Sequence, residues 1–270
     1  MKIIFHHLAK TAGTSLVKVM EKAFPGQVCP ARYDNELTPK LMADPRFVFY
    51  QGHFSFEKVA QFKAANASAF AFVFLRHPVN RVLSQYHNWI DAERTRREYA
   101  AIAERGALSP ETVARKLQKF EQNIFGLSMA EFVNSPDPDI RDVVYNHQTR
   151  YLSRRAAFAK NPLEGCIDAI QNLSTFYDFV GLTEAYEDCL QDLFVALGLD
   201  KVRPDTKIRV NTNDVHKASG RYRVNKDVLA KLVEKNAYDL CVFHHALGSM
   251  LSRKGQREDL STLLSLPDLE

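Results

Sequence analysis

The sequence predicts an α/β fold in which a central parallel β-sheet is flanked by helices. Strand and helix signals alternate from residue 2 to about residue 90, a pattern typical of parallel sheets with helices on both sides. Residues 70–75 are an uninterrupted apolar run, as expected for a strand buried on both faces. Polar residues follow each of the first three strand signals. Because open α/β sheets bind ligands at the carboxyl edge of their strands, these polar segments are candidate site residues.

The first strand runs into a short polar turn and then a helix. Residues 3–16 contain an apolar strand, a turn with one lysine, Lys10, and a helix that opens with hydroxyl residues. Backbone N–H groups at a helix start are unpaired and partly positive, so this turn favours a phosphate or a sulfate. Lys10 adds a full charge, and Gly13 permits close approach of the backbone. The side-chain donors are Thr11, Thr14 and Ser15.

This turn differs from a Walker A loop, in which the lysine follows the second of two glycines. Here Lys10 precedes Gly13, and no glycine lies upstream. A capped strand–helix turn with a solvated lysine is the alternative interpretation. The Lys-Thr-Ala-Gly-Thr-Ser segment resembles the 5′-phosphosulfate loop of sulfotransferases, which use 3′-phosphoadenosine 5′-phosphosulfate (PAPS) as sulfuryl donor. The resemblance implies that the donor is bound by Lys10, Thr11, Ala12, Gly13, Thr14 and Ser15.

The third strand ends in a second anion-binding pattern, Arg-His-Pro-Val-Asn-Arg-Val-Leu-Ser-Gln-Tyr over residues 76–86. Pro78 suits the first turn of a helix, and Ser84 lies about two helical turns further on. Alone, either Arg76 or Ser84 would fit an ordinary surface or helix residue. The combined pattern resembles the 3′-phosphate motif of PAPS-dependent sulfotransferases. The resemblance implies that Arg76 and Ser84 hold the phosphate that distinguishes PAPS from ATP, a task that suits the guanidinium fork.

A candidate general base follows the second strand, which the sequence predicts over residues 47–50 with Gly52 and His53 at its exit. Histidine has a near-neutral pKa and accepts a proton from a hydroxyl. Most of the other histidines, including His87, His244 and His245, fit packing or the surface. The Gly-His-Phe-Ser-Phe segment resembles the one that holds the catalytic base in heparan sulfate 2-O-sulfotransferases, which implies His53. Those enzymes have a second histidine two positions earlier, where this chain has Gln51.

Later stretches extend the resemblance to carbohydrate sulfotransferases over about residues 3–245. Residues 176–184 look like the family's late strand, with a helix following through Leu197. Residues 146–152 are similar to a segment near the acceptor side in 6-O-sulfotransferases, and the polar loop 211–223 sits where the family has a cofactor-covering loop. The contacts of that loop with the donor are not predicted residue by residue.

The chain is predicted to form one sulfotransferase domain over residues 1–250, with residues 251–270 as a peripheral tail. Residues 90–160 are interpreted as a helical excursion that shapes the acceptor side. Ser109 begins a helix within it, and residues 134–139 form a turn-rich break. Asn225 begins a final amphipathic helix, with one face formed by Leu229, Leu232, Leu240 and Phe243.

A dense basic cluster lies at the start of the excursion, at Arg94, Arg96 and Arg97. A solvated helix face is its first interpretation, and an electropositive rim that attracts an acidic acceptor is the second. The net charge of +4 fits an enzyme that handles a polyanion. Nucleic-acid binding is not expected, because the aromatic residues are not interleaved with basic ones as in a stacking platform.

Composition indicates a soluble globular protein, with 46% hydrophobic and 25% charged residues. No apolar run approaches the roughly 20 residues of a membrane span. The strand at residue 3 leaves no room for a signal peptide. A cytoplasmic location, or a domain trimmed of its membrane anchor, is therefore expected. Reduced thiols are predicted at Cys29, Cys166, Cys189 and Cys241, and no acidic cluster suits a metal.

The resemblance implies an enzyme that carries out O-sulfation. His53 would deprotonate an acceptor hydroxyl, which attacks sulfur, while Lys10 neutralises charge on the departing phosphate. The product would be adenosine 3′,5′-bisphosphate, and the resemblance favours a glycan hydroxyl as acceptor. The particular hydroxyl and the oligomeric state are not predicted. One alternative is an ATP-dependent small-molecule kinase of P-loop type, which would require magnesium. Another is a non-catalytic relative that binds a nucleotide or an anionic glycan.

Overall fold

The computed structural model describes residues 1–104, 106, 108–199, 204 and 224–254. Within these residues one parallel sheet is formed by β1 (Ile3–His6), β2 (Phe49–Gly52), β3 (Phe70–Leu75) and β4 (Phe179–Leu182). The strand order is β2-β1-β3-β4, so the first strand lies inside the sheet. The predicted α/β fold with a helix-flanked parallel sheet is confirmed.

Helices surround this sheet and form the excursion. The first group consists of α1 (Gly13–Ala23), α2 (Pro39–Ala43), α3 (Phe56–Ala65) and α4 (Pro78–Ile90). Before β4 come α5 (Ala92–Glu104), α6 (Pro110–Asn123), α7 (Met129–Asn134), α8 (Pro138–Val144), α9 (His147–Leu152), α10 (Arg155–Lys160) and α11 (Pro162–Thr175). After β4 come a 3₁₀ turn (Thr183–Ala185), α12 (Tyr186–Ala196), α13 (Lys226–Lys235) and α14 (Ala237–Lys254).

The register of the sheet brings three strand ends together. His6 lies opposite Gly52 on one side and Val73 on the other. β2 begins two residues later than predicted, because its pairing with β1 starts where Ile3 meets Phe49. The polar segments that follow β1, β2 and β3 therefore share one edge of the sheet, as predicted from the sequence.

Several predicted helix starts and breaks match the structure. Pro78 occupies the first turn of α4. Ser109 caps α6 by accepting a hydrogen bond of 3.2 Å from the Thr112 amide. The break at residues 134–139 separates α7 from α8. Asn225 caps α13 through the Val228 amide at 2.8 Å.

The predicted single C-terminal helix is wrong, because the chain forms α13 and α14 with Asn236 between them. The Asn236 amide donates to the carbonyls of Leu232 and Val233 and ends α13, while the Asn236 carbonyl accepts from Leu240 within α14. The interruption lets the two helices face different cores. Leu232 packs into the core of the excursion, and Phe243 packs into the core beneath the sheet.

Two hydrophobic cores result, one around the sheet and one between α4, α6, α7, α8 and α13. Among the described helices, none is long and apolar enough to cross a membrane. The four cysteines, all within the described residues, form no disulfide with one another, and Cys241 is the exposed one among them. The polar loop 211–223 and residues 255–270 of the predicted tail lie outside the described residues. The start of the predicted tail, residues 251–254, belongs to α14.

Candidate functional site

The turn between β1 and α1, called the anion loop (residues 10–15), adopts an unusual backbone. Lys10 and Ala12 have φ values of 68° and 61°, in the left-handed region that non-glycine residues rarely enter and that concentrates at functional sites. Ala12 is the N-cap of α1 and has no side-chain cap hydrogen bond. Thr11 is buried and donates its hydroxyl hydrogen to the Leu8 carbonyl at 2.9 Å. The side chain of Thr11 therefore supports the loop from within, while the start of α1 presents partly positive amides.

Gly13 is required by space rather than by its backbone angles. A Cβ atom at Gly13 would lie 1.8 Å from Nε2 of His7, far inside any permitted contact. The His7 imidazole therefore packs directly against the start of α1. Close approach at Gly13 is predicted from the sequence, but the group that approaches in the structure is this ring.

Gly13→Ala should disrupt the loop because the added methyl group must displace His7. We expect a loss of stability of about 1–3 kcal/mol, as for other overpacked sites, together with weaker binding of adenosine 3′,5′-bisphosphate. Thermal unfolding and calorimetric titration measure the two effects. Gly248→Ala is the matched control, since a Cβ there meets nothing within 4 Å, and it should stabilise α14 by about 0.5–1 kcal/mol. Equal behaviour of the two variants would contradict the requirement at Gly13.

Lys10 lies in a cluster of positive charge. Its Nζ donates a hydrogen bond of 2.8 Å to Oδ1 of Asn88 on α4. The pKa of Lys10 is lowered to about 7, mainly by burial and also by the nearby charges of Arg94, Arg76 and Arg81. Such crowding of cations raises the free energy of the charged lysine. A bound polyanion would relieve it.

Arg76 is fixed at the end of β3 by a side chain from α9. Gln148, which is fully buried, accepts from the Arg76 amide at 2.9 Å and donates to the Arg76 carbonyl at 2.8 Å. Nη1 of Arg76 donates to the Lys10 carbonyl at 3.2 Å. The next amide, that of His77, donates to the Glu184 carboxylate at 2.8 Å. The arginine is thus held by its backbone while its guanidinium reaches the anion loop.

Gln148, which hydrogen-bonds to the backbone of Arg76, is itself held by a residue of α14. Asp239 is fully buried, and its carboxylate accepts from the backbone amides of Gln148 and Thr149 at 3.0 and 2.7 Å. It also accepts from the Thr149 hydroxyl at 2.7 Å. The segment 146–152, compared above with one on the acceptor side, therefore supports the backbone of Arg76. Its His147 lies within electrostatic range of His53.

Ser84 is nearly buried on α4. It lies one helical turn before Asn88, and residues spaced in this way share a helix face. Because Asn88 contacts Lys10, the face that carries Ser84 is the one turned toward the anion loop. The structure therefore brings Lys10, Arg76 and Ser84 to the same edge of the sheet.

His53 is half-buried immediately after β2 and is held from two sides. Its backbone amide donates to the Arg32 carbonyl at 2.8 Å, and its ring Nδ1 lies 2.8 Å from the His7 carbonyl. Because a carbonyl only accepts, Nδ1 carries the hydrogen, and Nε2 of the neutral ring keeps its lone pair. Burial lowers the pKa of His53 below 6.5, against the opposing effect of the His7 hydrogen bond. The ring is therefore a neutral base at neutral pH.

The segment beside His53 requires Gly52. A Cβ at Gly52 would lie 2.5 Å from the Arg32 carbonyl oxygen, so only glycine lets residues 32 and 33 pair closely with the end of β2. The exposed Tyr33 ring lies 6.1 Å from the His53 ring, measured between centroids. The charges of Arg32 and Lys10 both act on His53. An aromatic and cationic surface thus borders the candidate base.

The basic cluster of α5 divides into one inward and two outward residues. Arg94 is half-buried, pairs with Glu98 at 3.0 Å and is the charge with the largest effect on Lys10. Arg96 pairs with Glu121 and Arg97 with Glu93, and both are exposed. The first interpretation, a solvated face, describes Arg96 and Arg97, whereas Arg94 belongs to the charged surroundings of the anion loop.

The sequence assigned no role to His7, Asn88 or Asp239, and it placed Gln148 only in the segment 146–152 that is compared with the acceptor side. Asn88 also carried a local signal, as it lies one turn after Ser84 on the same helix face. A separate cavity of about 360 Å³ between α7, α8 and the end of α13 shares no lining residue with this site. In the part of the chain that the structure describes, no group of histidine, cysteine or carboxylate side chains could hold a metal ion.

A comparison with protein families gives a match over nearly the whole chain. A family model described as "Sulfotransferase family" matches residues 1–246. The match includes the anion loop, the strand ends and the helical excursion. No curated protein matches the chain.

Proposed function

Because the chain belongs to the sulfotransferase family, we propose that it transfers the sulfuryl group of PAPS to a hydroxyl of a carbohydrate-type acceptor. The observation that carries this proposal is the placement of three chemical groups at one sheet edge. The anion loop, the Arg76 guanidinium and the His53 imidazole follow β1, β3 and β2. Arg76 contacts the Lys10 carbonyl, and Lys10 acts electrostatically on His53.

The charge of the site supports a polyanionic donor. Four cations, Lys10, Arg76, Arg81 and Arg94, lie close enough for the last three to lower the pKa of the first. Arg81 is fully buried, which lowers its pKa to about 10. Glu98, which pairs with Arg94, offsets part of this charge, and a bound polyanion would balance the rest. The start of α1 and Lys10 would bind the 5′-phosphosulfate, and Arg76 with Ser84 would bind the 3′-phosphate.

When bound, PAPS supplies a sulfuryl group attached to a phosphate leaving group. His53 provides the base, since its Nε2 lone pair is free to accept the proton of the acceptor hydroxyl. Lys10, once charged, stabilises negative charge that develops on the leaving phosphate. The hydrogen bonds of Gln148 to the Arg76 backbone, and of the His77 amide to Glu184, keep the phosphate-binding side fixed during transfer. Positioning and fixed charge supply most of the rate gain on this account.

The surface beside His53, where the acceptor would bind, has features that suit a sugar. Tyr33 presents an exposed ring close to His53, and exposed aromatic rings offer a flat apolar face with a polar tip. Arg32 places a positive charge near the same base. We propose that a sugar ring lies on Tyr33 with one hydroxyl toward Nε2 of His53.

The pKa of Lys10 makes donor affinity depend on pH. In the free protein Lys10 loses its proton as the pH rises through about 7, whereas a bound polyanion favours the charged form. Affinity for adenosine 3′,5′-bisphosphate should therefore fall by up to about tenfold per pH unit above neutrality. Calorimetry in buffers of different ionisation enthalpy should also show proton uptake. Lys10→Arg keeps its charge and should remove both effects, and an affinity of the wild-type protein that does not change with pH would contradict this role.

The proposed function is tested by following PAPS consumption with panels of neutral and uronate-bearing oligosaccharides. We expect release of adenosine 3′,5′-bisphosphate that depends on an acceptor, proceeds without a metal ion and places sulfate on that acceptor. Phosphate transfer from magnesium-ATP instead would favour a kinase. Binding of glycan without consumption of PAPS would favour a non-catalytic relative.

A further inference from the structure

A second imidazole, that of His7, contacts the candidate base. The ring centroids of His7 and His53 lie 4.4 Å apart, with 34° between the planes. The His7 ring also stacks on Phe5 at 5.2 Å. Aromatic contacts at these separations restrict rotation of the rings involved. The His53 ring is thus held by the side chain of His7 as well as by its carbonyl.

The same imidazole reaches the anion loop. Its Nε2 atom occupies the space in which a Cβ at Gly13 would lie. One ring therefore bridges the base and the start of α1. The distance between His53 and the loop is set by the thickness of the His7 side chain.

Gln51 lies beside the bridging ring. Its side chain is buried and interacts with the imidazole of His7. Gln51 lies opposite Phe5 in the sheet, so it stands beside the strand that leads to His7. In the 2-O-sulfotransferases that the sequence resembles, position 51 corresponds to the second histidine. Here the second imidazole comes from the residue that follows the neighbouring strand β1, and residue 51 lies beside it.

We propose that His7 is a positioning residue that holds His53 at a fixed distance from the anion loop, with Gln51 setting the orientation of its ring. This inference rests on the proposed function, because it takes His53 as the base for sulfuryl transfer. It assigns His7 no proton transfer. His7 acts through His53 and through the backbone at Gly13.

The His7 ring also shields His53 from water. Burial keeps the pKa of both imidazoles below 6.5, so both rings are neutral at neutral pH. The charged or titratable groups that act on His53 from the surrounding elements are His6, His7, Lys10, Arg32 and His147. Removal of the His7 ring hydrates His53 without removing any of the other charges.

His7→Ala tests this role through kcat and the pH profile. We expect kcat for PAPS turnover to fall by about 10²-fold, as for a misplaced reacting group, with a much smaller change in affinity for adenosine 3′,5′-bisphosphate. The acid limb of the kcat/KM profile should move up toward pH 6.5 as His53 becomes hydrated. A ring with a purely structural role would lower the melting temperature without moving that limb. His245→Ala, whose ring contacts Ser174 away from the site, is the control that should change neither.

A double-mutant cycle tests the orientation by Gln51. Gln51→Leu should lower kcat in the wild-type background and have no further effect in His7→Ala, since it acts through that ring. If His7→Ala does not fold, His7→Asn and Gln51→Leu provide the same comparison. If the wild-type protein is active and the folded His7 variants keep the same kcat and the same acid limb, the inference about His7 is overturned while the proposed function stands. A wild-type protein that does not consume PAPS would overturn the proposed function and the inference with it.

Discussion

His53→Ala should lower sulfuryl transfer by about 10²- to 10⁴-fold, the usual contribution of a general base, while affinity for adenosine 3′,5′-bisphosphate stays near the wild-type value. The reason is geometric. The ring Nδ1 is committed to the His7 carbonyl at 2.8 Å, which leaves Nε2 as the atom that can take a proton. The donor, by contrast, is proposed to bind the anion loop and Arg76. Steady-state turnover and calorimetric titration separate the two effects.

The pH profile of the wild-type protein gives an independent check of the same assignment. His53 must be neutral to act as a base, so its contribution to transfer is complete above its pKa and is lost as the pH drops through that pKa. Because burial lowers that pKa, the acid limb should lie below pH 6.5. His245→Ala is a suitable control variant, since the His245 ring contacts Ser174 away from the site. Normal turnover in His53→Ala would remove this residue from the base role.

Arg76→Ala should abolish the preference for a 3′-phosphate. We expect the affinity for adenosine 3′,5′-bisphosphate to fall by about 10- to 100-fold, in line with the loss of a charge-assisted hydrogen bond. AMP lacks the 3′-phosphate, so its binding should change little. Parallel titrations of both nucleotides into wild-type and variant protein measure the difference.

The control for Arg76 is another arginine with an ion pair outside the site. Arg96 pairs with Glu121 at 2.8 Å on the exposed side of α5, so Arg96→Ala should leave both affinities unchanged. Arg76→Lys keeps the charge but loses the guanidinium fork, and it should restore only part of the preference. Equal losses for both nucleotides in Arg76→Ala would mean that Arg76 does not recognise the 3′-phosphate.

Local sequence patterns were sufficient to predict which polar segments share one edge of the sheet. The apolar run at residues 70–75 forms β3 with the predicted bounds, and Pro78 opens the next helix. Since the carboxyl ends of parallel strands meet at one edge, the order of the motifs alone indicated that Lys10, His53 and Arg76 lie together. The two-helix C-terminus was missed because apolar spacing continues across Asn236 and does not reveal that the two halves face different cores.

The supporting contacts could not be predicted in this way, although Gln148 belongs to the segment 146–152 that the sequence singled out. Gln148 lies 72 positions from Arg76, and Asp239 lies 90 positions from Thr149. Such pairs depend on tertiary packing, to which periodicity and motif spacing are blind. The need for glycine at position 13 likewise depends on His7, six residues earlier, whose ring direction no local pattern specifies.

Calorimetric titration with adenosine 3′,5′-bisphosphate, AMP and magnesium-ATP tests the central claim most directly. The proposed site predicts clear preference for the bisphosphate without any metal ion, because Arg76 and Ser84 are proposed to bind the 3′-phosphate. Equal affinity for AMP, or binding only of magnesium-ATP, would contradict a PAPS site at this edge of the sheet.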